Sequence, residues 1–279
     1  MTSPVRQHLG QRRHRARPAR RRALVGTLAA LGLTGSTLLA SGLTGTASAA
    51  AAWPTATGSV PLTATKAVSG TYDGKLQRFY GSGDLGGDGQ DEGQDPLFQL
   101  ADGAVLKNVI LGSPAADGIH CSGSCTLQNV WWEDVGEDAA TFKGKSSSAT
   151  YTVSGGGAKS ASDKVFQFNG AGKLTVTGFQ VSNFGKLVRS CGNCSTQYKR
   201  TIVINDVDVT APGTSVVGIN QNYGDTATLT KVRVHGDSSK KIKICTRFTG
   251  NSSGDEPKEI GSGPDGTYCK YSTSDVTYD

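Results

Sequence analysis

Short segments in which apolar residues alternate with polar ones recur along the chain from residue 104 onward. Such alternation is typical of β-strands that bury one face. Long runs with the periodicity of an amphipathic helix are missing. The segments span residues 104–110, 126–132, 149–153, 173–181, 201–209 and 227–234. The pattern therefore predicts an all-β protein.

The distance between these segments indicates how the strands are arranged. Similar apolar positions lie 21 to 28 residues apart, at Leu106, Leu127, Tyr151, Leu174, Ile202 and Leu229. A repeat of this length is typical of a parallel β-helix, in which coils stack because one coil cannot bury its own inner face. The alternative is a β-sandwich, but its strands usually recur every 8–12 residues or so. The spacing favours the solenoid.

Three asparagines, Asn108, Asn129 and Asn205, follow the first strand of their segments. In a stack of coils, such side chains would hydrogen-bond from one coil to the next. Residues 53–101 are predicted to form an N-terminal cap. The tail 236–279, where the repeat fades, is expected to close the open end of the solenoid, which would otherwise present an unpaired edge.

The first 49 residues predict a secretion signal. An arginine-rich start is followed by an apolar stretch and by the small residues Ala47-Ser48-Ala49, which is the order found in signal peptides. The alternative, a transmembrane anchor, is disfavoured because glycine, threonine and serine interrupt a short apolar run. Arg21 and Arg22 leave twin-arginine export open as well. We therefore expect a secreted protein with one mature domain, residues 50–279.

Removal of the leader changes the charge of the protein. The whole chain has 29 lysines and arginines and 23 acidic residues. Eight of the arginines lie in residues 1–49, so the mature chain has 21 basic groups against 23 acidic ones, a net charge of −2. The basic isoelectric point therefore gives no evidence for nucleic-acid binding. The mature form is expected to be a monomer that does not contact a membrane.

All six cysteines lie in the mature chain, and export makes disulfides the expected state. Six cysteines allow 15 connectivities. A redox-active or zinc-binding Cys-x-x-Cys pair is the alternative, disfavoured in an exported chain with no second pair of zinc type. Proximity in sequence suggests, as a guess, Cys121 with Cys125, Cys191 with Cys194 and Cys245 with Cys269.

Charged residues recur at roughly the length of one coil, so stacking would gather them on one face. They are Asp117, Glu137 with Asp138, Asp163 with Lys164, and Lys186 with Arg189. Clustered carboxylates suit Ca²⁺, which takes about 6–8 oxygen ligands. The neighbouring cations suit an anionic substrate. The alternative is a solvated face with weak ion pairs. His120 is interpreted as structural, since it lies beside a cysteine in a tight turn.

The segments 117–121 and 131–143 resemble the signature of polysaccharide lyase family 3, the small secreted bacterial and fungal pectate lyases. The resemblance extends from Tyr72 to Cys191 and is less clear after Tyr223. It implies a right-handed parallel β-helix that cleaves polygalacturonate, the expected partner, by calcium-dependent β-elimination.

The resemblance also implies roles for individual residues. Calcium ligation is implied for Asp117, Glu137 and Asp138, with Asp163 as a further candidate. Catalysis or substrate binding is implied for Lys164, Lys186 and Arg189. Two further charged residues, Glu92 and Lys143, match family positions and are expected to contact substrate.

For the base that removes the C5 proton we favour Lys164, with Arg189 as its competitor. An unperturbed lysine has a pKa of about 10.4, so little of it is neutral at pH 7 and an alkaline activity optimum is predicted. Two other functions stay open from the residues alone. One is a β-helix polygalacturonase, which would use paired carboxylic acids, and the other is a non-catalytic polysaccharide-binding solenoid.

Overall fold

The computed structural model describes residues 51–87, 89 and 93–279, so the predicted leader lies outside the described residues. Among them are three single-turn 3-10 helices, Gly83–Leu85, Gln221–Tyr223 and Thr273–Asp275. No helix in this part of the chain has the length and apolar composition needed to cross a bilayer. The strands are β1 Ser59–Leu62, β2 Lys66–Val68, β3 Thr71–Gly81, β4 Phe98–Leu100, β5 Ala104–Leu111, β6 Ile119–Cys121, β7 Cys125–Trp132, β8 Asp138–Phe142, β9 Thr150–Phe168, β10 Gly172–Ser190, β11 Arg200–Asn220, β12 Thr226–His235, β13 Lys243–Thr249, β14 Lys258–Ser262, β15 Cys269–Lys270 and β16 Val276–Tyr278.

The strands wind into a stack of parallel coils. One series of neighbours is β1, β3, β5, β7, β9, β10, β11 and β12, and every pairing in it is parallel. A second series runs β2, β4, β6, β8 and β9, again in parallel. Strands β9, β10 and β11 are 19 to 21 residues long and take part in more than one face of the coil. The predicted right-handed parallel β-helix is confirmed.

The core is made of apolar side chains that stack inside the coils. Along the second series and its continuation through β10, β11 and β13, the paired positions that face inward are occupied by Phe98, Ile119, Ala140, Phe166, Val188, Val217 and Cys245. All of them are completely buried. Each coil thus buries its inner face against the next, as the repeat length requires.

The register differs from the sequence expectation by two residues at two coils. Leu127 pairs with Val153 rather than with Tyr151, and Leu229 pairs with Ile204 rather than with Ile202. The reason is that side chains alternate with a period of two, so a shift of two residues keeps the same residues inside and leaves the hydrophobic pattern unchanged. The hydrophobic pattern alone therefore predicts which face of a strand is buried, but not which inward-facing residues of adjacent coils pair with each other.

The asparagine ladder is present at two of its three predicted positions. Asn129 Nδ2 donates to Asn108 Oδ1 over 2.9 Å. Both residues have a left-handed backbone, with φ of 55° and 53°, a conformation that asparagine tolerates better than most residues. Asn205 was expected in the same column, but Asp206 occupies it with φ 57°. Asn205 lies one residue earlier and accepts a hydrogen bond from Thr230 at 2.9 Å.

The two ends of the solenoid contain more regular structure than the sequence predicted. The segment expected to be a cap already forms coils, since β1 pairs in parallel with β3 and β2 with β4. In the tail, β13 adds to β11 in parallel before β14 turns back antiparallel to it. The strands β15 and β16 pair with β12, so the tail covers the end of the stack as expected.

The three disulfides follow the sequence guess. They join Cys121 to Cys125, Cys191 to Cys194 and Cys245 to Cys269. No free cysteine is found among the described residues.

Candidate functional site

The face of the solenoid formed by the second series of strands carries a column of charged residues on its outside. Asp138 pairs with Lys164, and Lys164 pairs with Lys186, on adjacent strands. Asp117 stands two residues before Ile119, which pairs with Ala140, so it holds the position that Asp138 holds one coil later. The structure therefore brings acids and cations that are a coil apart in sequence onto one face.

Three carboxylates meet at the start of this column. One oxygen from each of Asp117, Glu137 and Asp138 lies within 4.8 Å of the others, and all three residues are buried. Asp117 Oδ1 accepts no hydrogen bond from the described residues. Burial raises the pKa of Asp138 to about 9; Lys164 opposes this shift, and Glu137 and Asp117 add to it. Together these carboxylates form a crowded, incompletely satisfied group of oxygen donors.

Lys164 joins the acids to the cations. Its Nζ lies 3.5 Å from Glu137 Oε1, 3.5 Å from Asp138 Oδ1 and 2.7 Å from Asp163 Oδ2. Burial would lower the pKa of Lys164, but the charges of Asp138, Asp163 and Glu137 outweigh it and raise the pKa above its usual value. In the metal-free protein these acidic neighbours hold Lys164 in its charged form.

Asp163 stands apart from the three buried carboxylates. It is partly exposed, and its oxygens accept hydrogen bonds from Lys164 Nζ at 2.7 Å and Lys186 Nζ at 2.6 Å. Burial would raise the pKa of Asp163, but the two lysines lower it below its usual value. Asp163 therefore holds the two lysines side by side.

Arg189 follows Lys186 on the same strand, where it pairs with Gln167 and Gly218, and it is buried and fixed on several sides. Its Nη1 donates to the Ser190 carbonyl and, over 3.0 Å, to Asn220 Oδ1. The guanidinium lies 4.0 Å from the ring centre of Phe248. Gly218 leaves space for it, because a Cβ there would come within 2.8 Å of Arg189 Cδ. Burial lowers the pKa of Arg189 to about 10.

A cavity of about 200 Å³ opens between the cations and the C-terminal segment. One wall consists of the charged column, and the other comes from the tail, which sequence reasoning did not connect with the site. Its lining includes Asp163, Lys164, Gln167, Lys186, Arg189, Phe248, Glu256 and Pro257. Asn220 and Phe248 had no signal in the sequence, because neither is charged and both lie beyond the recognisable motif.

Of the two residues expected to contact substrate at the edges of the motif, one can be placed. Lys143 Nζ lies 3.0 Å from His120 Nδ1 and 3.1 Å from His120 Nε2. His120 Nε2 lies 2.6 Å from Asp117 Oδ2, so the histidine interpreted as structural contacts the acidic group directly. Glu92 lies outside the described residues.

The oxygen donors fit a hard cation. Three close carboxylates without a cation repel one another, and oxygen ligands are what Ca²⁺ and Mg²⁺ take in proteins. Asp117 Oδ1 is buried and accepts no hydrogen bond from the described part of the chain, so it has a lone pair to offer such an ion. The cations beyond the acids, Lys186 and Arg189, line the cavity, and cationic groups of this kind form strong hydrogen bonds with carboxylates.

Comparison with protein families and with known proteins points to one group. Residues 50–255 match the family model described as pectate lyase. A protein named probable pectate lyase E from Neosartorya fischeri is 51% identical over 221 residues, covering 78% of this chain and 83% of its own. Pectate lyase E from Emericella nidulans is 48% identical over 222 residues, with 78% and 84% covered.

Solved structures give the same grouping. The catalytic domain of pectate lyase PelI from Erwinia chrysanthemi is similar with a TM-score of 0.65 and 34% identity, covering 80% of this chain and 98% of that domain. A structure of PelI in complex with tetragalacturonic acid is 35% identical with a TM-score of 0.65, covering 78% of this chain and 70% of the other.

Proposed function

The chain belongs to the pectate lyase family, and from that premise we propose that it is a secreted, calcium-dependent enzyme that cleaves (1→4)-α-D-galacturonan by β-elimination. Its products would be unsaturated oligogalacturonides. The family makes it a lyase that acts on pectate. The observation that carries the calcium proposal is the buried carboxylate group beside Lys164, in which Asp117 Oδ1 and Asp138 Oδ1 accept no hydrogen bond from the described residues.

Asp117, Glu137 and Asp138 are the residues that would hold the ion. Their oxygens are hard donors, and a divalent cation would relieve the repulsion among them. Bound there, Ca²⁺ would neutralise a substrate carboxylate and stabilise the negative charge that develops during elimination. Asp163 stays a candidate further ligand, although its oxygens now hold Lys164 and Lys186.

Lys164 is proposed to accept the C5 proton of the substrate. Removal of that proton leaves an electron pair that forms the C4–C5 double bond while the bond from C4 to the glycosidic oxygen breaks, and water supplies the proton to that oxygen. Lys164 must be neutral to act, and its acidic neighbours oppose this in the metal-free structure. A metal ion held by these carboxylates would weaken their attraction for the Nζ proton. Activity should therefore rise toward alkaline pH.

Arg189 and Lys186 are proposed to bind substrate carboxylates, and Lys143 to contribute from the edge of the acidic group. Arg189 is the competing candidate for the base, because burial lowers the pKa of its guanidinium to about 10. Arg189→Lys separates the two. If Lys164 is the base, this variant is slower with an unchanged dependence of kcat on pH. A profile that moves to lower pH would give the base role to Arg189.

Secretion and a monomeric state complete the proposal. Three disulfides suit an oxidising compartment, and the leader-like residues 1–49 supply an export signal. Fractionation of a host that produces the full chain, followed by light scattering of the released protein, tests both points. Retention in the cytoplasm, or a stable dimer, would contradict them.

The reaction itself is tested with polygalacturonate and purified protein, first with calcium and then with a chelator. The expected result is a rising ultraviolet absorbance of an unsaturated product, abolished by the chelator and restored by calcium. New reducing ends without this absorbance would indicate hydrolysis, and neither signal would indicate a binding protein.

A further inference from the structure

His120 is buried between the acidic group and a lysine, and no step of the proposed elimination uses it. Its Nε2 lies 2.6 Å from Asp117 Oδ2, and both side chains are more than nine-tenths buried. The neighbouring residue, Cys121, is tied by a disulfide to Cys125. The backbone of His120 is also paired in parallel with Gln99 and Thr141 on both sides. The ring is therefore held in place by two coils and a covalent link.

The partners of the ring determine which nitrogen carries the proton. Nε2 lies 2.6 Å from Asp117 Oδ2 and donates to this carboxylate oxygen. Lys143 Nζ lies 3.0 Å from Nδ1 and 3.1 Å from Nε2, and it has no lone pair to offer, so Nδ1 is the nitrogen left to accept from it. Lys143, His120 and Asp117 thus form a directed chain of hydrogen bonds that ends at a carboxylate.

The chain of hydrogen bonds occupies one oxygen of Asp117 and leaves the other for the acidic group. Oδ2 accepts from His120, whereas Oδ1 is buried and accepts no hydrogen bond from the described residues. A carboxylate with one oxygen fixed by an outer partner cannot rotate freely, so its other oxygen is pre-oriented. Outer partners of this kind usually change metal affinity about 10–100-fold when removed.

We propose that His120 is a positioning residue that sets the cation affinity of the acidic group by fixing Asp117, with Lys143 selecting the tautomer that donates. This inference rests on the proposed calcium dependence and goes beyond it, because it assigns a function to two residues that do not have to touch the ion. It also gives Lys143 a contribution that is separate from substrate contact.

Two amide variants separate the Nε2 hydrogen bond from the mere presence of a polar group. Glutamine places its amide nitrogen near the position of Nε2, so His120→Gln can still donate to Asp117. Asparagine is too short to reach Oδ2, although it has the same amide. We expect calcium titration calorimetry of the disulfide-intact mature protein to give an affinity for His120→Gln within about threefold of the unaltered protein. His120→Asn is expected to bind calcium about 10–100-fold more weakly.

A matched control lies elsewhere on the solenoid. His235 Nε2 also contacts a buried aspartate, Asp208, at 2.9 Å, but none of the three acids is near it in sequence or strand pairing. His235→Asn should leave the calcium affinity unchanged. If His120→Asn unfolds without calcium, as seen by circular dichroism, Lys143→Met serves in its place, with an expected weakening of several-fold.

Activity provides a second readout that a purely structural role would not change in this way. The elimination rate of His120→Asn should reach that of the unaltered protein, within about threefold, once calcium is raised enough to saturate the weakened site. Equal affinity for His120→Asn and the unaltered protein would overturn the inference, as would equal losses in the Gln and Asn variants. Absence of calcium binding to the unaltered protein would overturn the calcium proposal itself, and the inference with it.

Discussion

Two clusters, each containing both acidic and basic side chains, lie on different faces of the solenoid and differ in their hydrogen bonding. The first, called the acidic site, comprises Asp117, Glu137, Asp138 and Lys164. Its lysine stays 3.5 Å from both Glu137 and Asp138, and two carboxylate oxygens, Asp117 Oδ1 and Asp138 Oδ1, accept no hydrogen bond from the described residues. Burial raises the pKa of Asp138 to about 9.

The second group, called the Arg233 cluster, comprises Asp206, Asp208, Arg233, His235 and Asp279. Arg233 donates to both oxygens of Asp208 at 2.7 Å and to Asp206 at 2.6 Å. His235 bridges Asp208 and Asp279 at 2.9 and 2.7 Å. Burial would raise the pKa of Asp208, but its partners lower it below the usual value.

The difference shows how similar residue types can serve structure in one place and chemistry in another. In the Arg233 cluster each charge meets an opposite charge in good geometry, so the group stabilises the last coils. In the acidic site there are more carboxylate oxygens than hydrogen-bond donors, and the carboxylates raise one another's pKa. Such an unfavourable arrangement is typical of functional sites, where a bound ligand supplies the missing interactions. Variants at matched positions should therefore behave in opposite ways.

The largest expected effect is on activity at Lys164. Loss of a general base usually costs about 10²–10⁴-fold in rate, so Lys164→Ala should lose that much of the elimination rate while staying folded. Arg233→Ala, which also removes the ion pairs of a partly buried cation, should keep the rate of the unaltered protein at a temperature where it is folded. Initial rates of ultraviolet absorbance on polygalacturonate measure both. Full activity of Lys164→Ala would contradict the base assignment.

The next largest effect is on stability without calcium. The change in the free energy of unfolding on substitution should have opposite signs in the acidic site and in the Arg233 cluster. Asp138→Asn replaces a buried carboxyl whose ionisation is opposed by burial and by its acidic neighbours, so the free energy of unfolding should be unchanged or higher, by up to about 2 kcal/mol. Asp208→Asn breaks charged hydrogen bonds and should lose about 1–3 kcal/mol. Urea unfolding in chelator at pH 8 measures both variants. A loss at Asp138 as large as that at Asp208 would mean that the acidic site is an ordinary structural network.

The smallest effect is the pH dependence of the Arg233 cluster. The pKa of Asp208 is lowered from 3.8, so its contribution to stability is present above that pH and is lost as pH falls through the folded value. The pKa of His235 is raised from 6.5, mainly by the hydrogen bond to Asp208, so its contribution is present below that pH and is lost as pH rises through the folded value.

The contribution of His235 should therefore be greatest between the two unfolded values, from 3.8 to 6.5. Melting temperatures of His235→Gln and of the unaltered protein, both in chelator, should differ most in this window and converge above it. A difference that does not change from pH 5 to pH 9 would contradict the assigned pKa shift.

Much of the fold could be predicted because the repeat is carried by alternation and coil length. What alternation could not give is the register, since Leu127 meets Val153 rather than Tyr151 with no change in which residues are buried. The prediction that Asn205 joins the asparagine column was wrong for a related reason. The column is defined by a left-handed backbone conformation, which several polar residues can adopt, and here Asp206 adopts it.

The acids and cations of the site could be found because charged residues recur at coil spacing. Residues that position them could not, since Asn220 and Phe248 are uncharged and act on Arg189 from the following coils. His120 shows the same limit. Its neighbour Cys121 was visible in the sequence, but the contact with Asp117 depends on the geometry of one turn.

The central claim is that the acidic site binds calcium and the Arg233 cluster does not. The most direct measurement is the shift in melting temperature when calcium is added to the unaltered protein, Asp138→Asn and Asp208→Asn. Calcium at about 100 times its dissociation constant stabilises a single site by about 2.7 kcal/mol, so the unaltered protein and Asp208→Asn should both shift upward by several degrees. Asp138→Asn should shift little or not at all. An equal shift in all three proteins would contradict the claim.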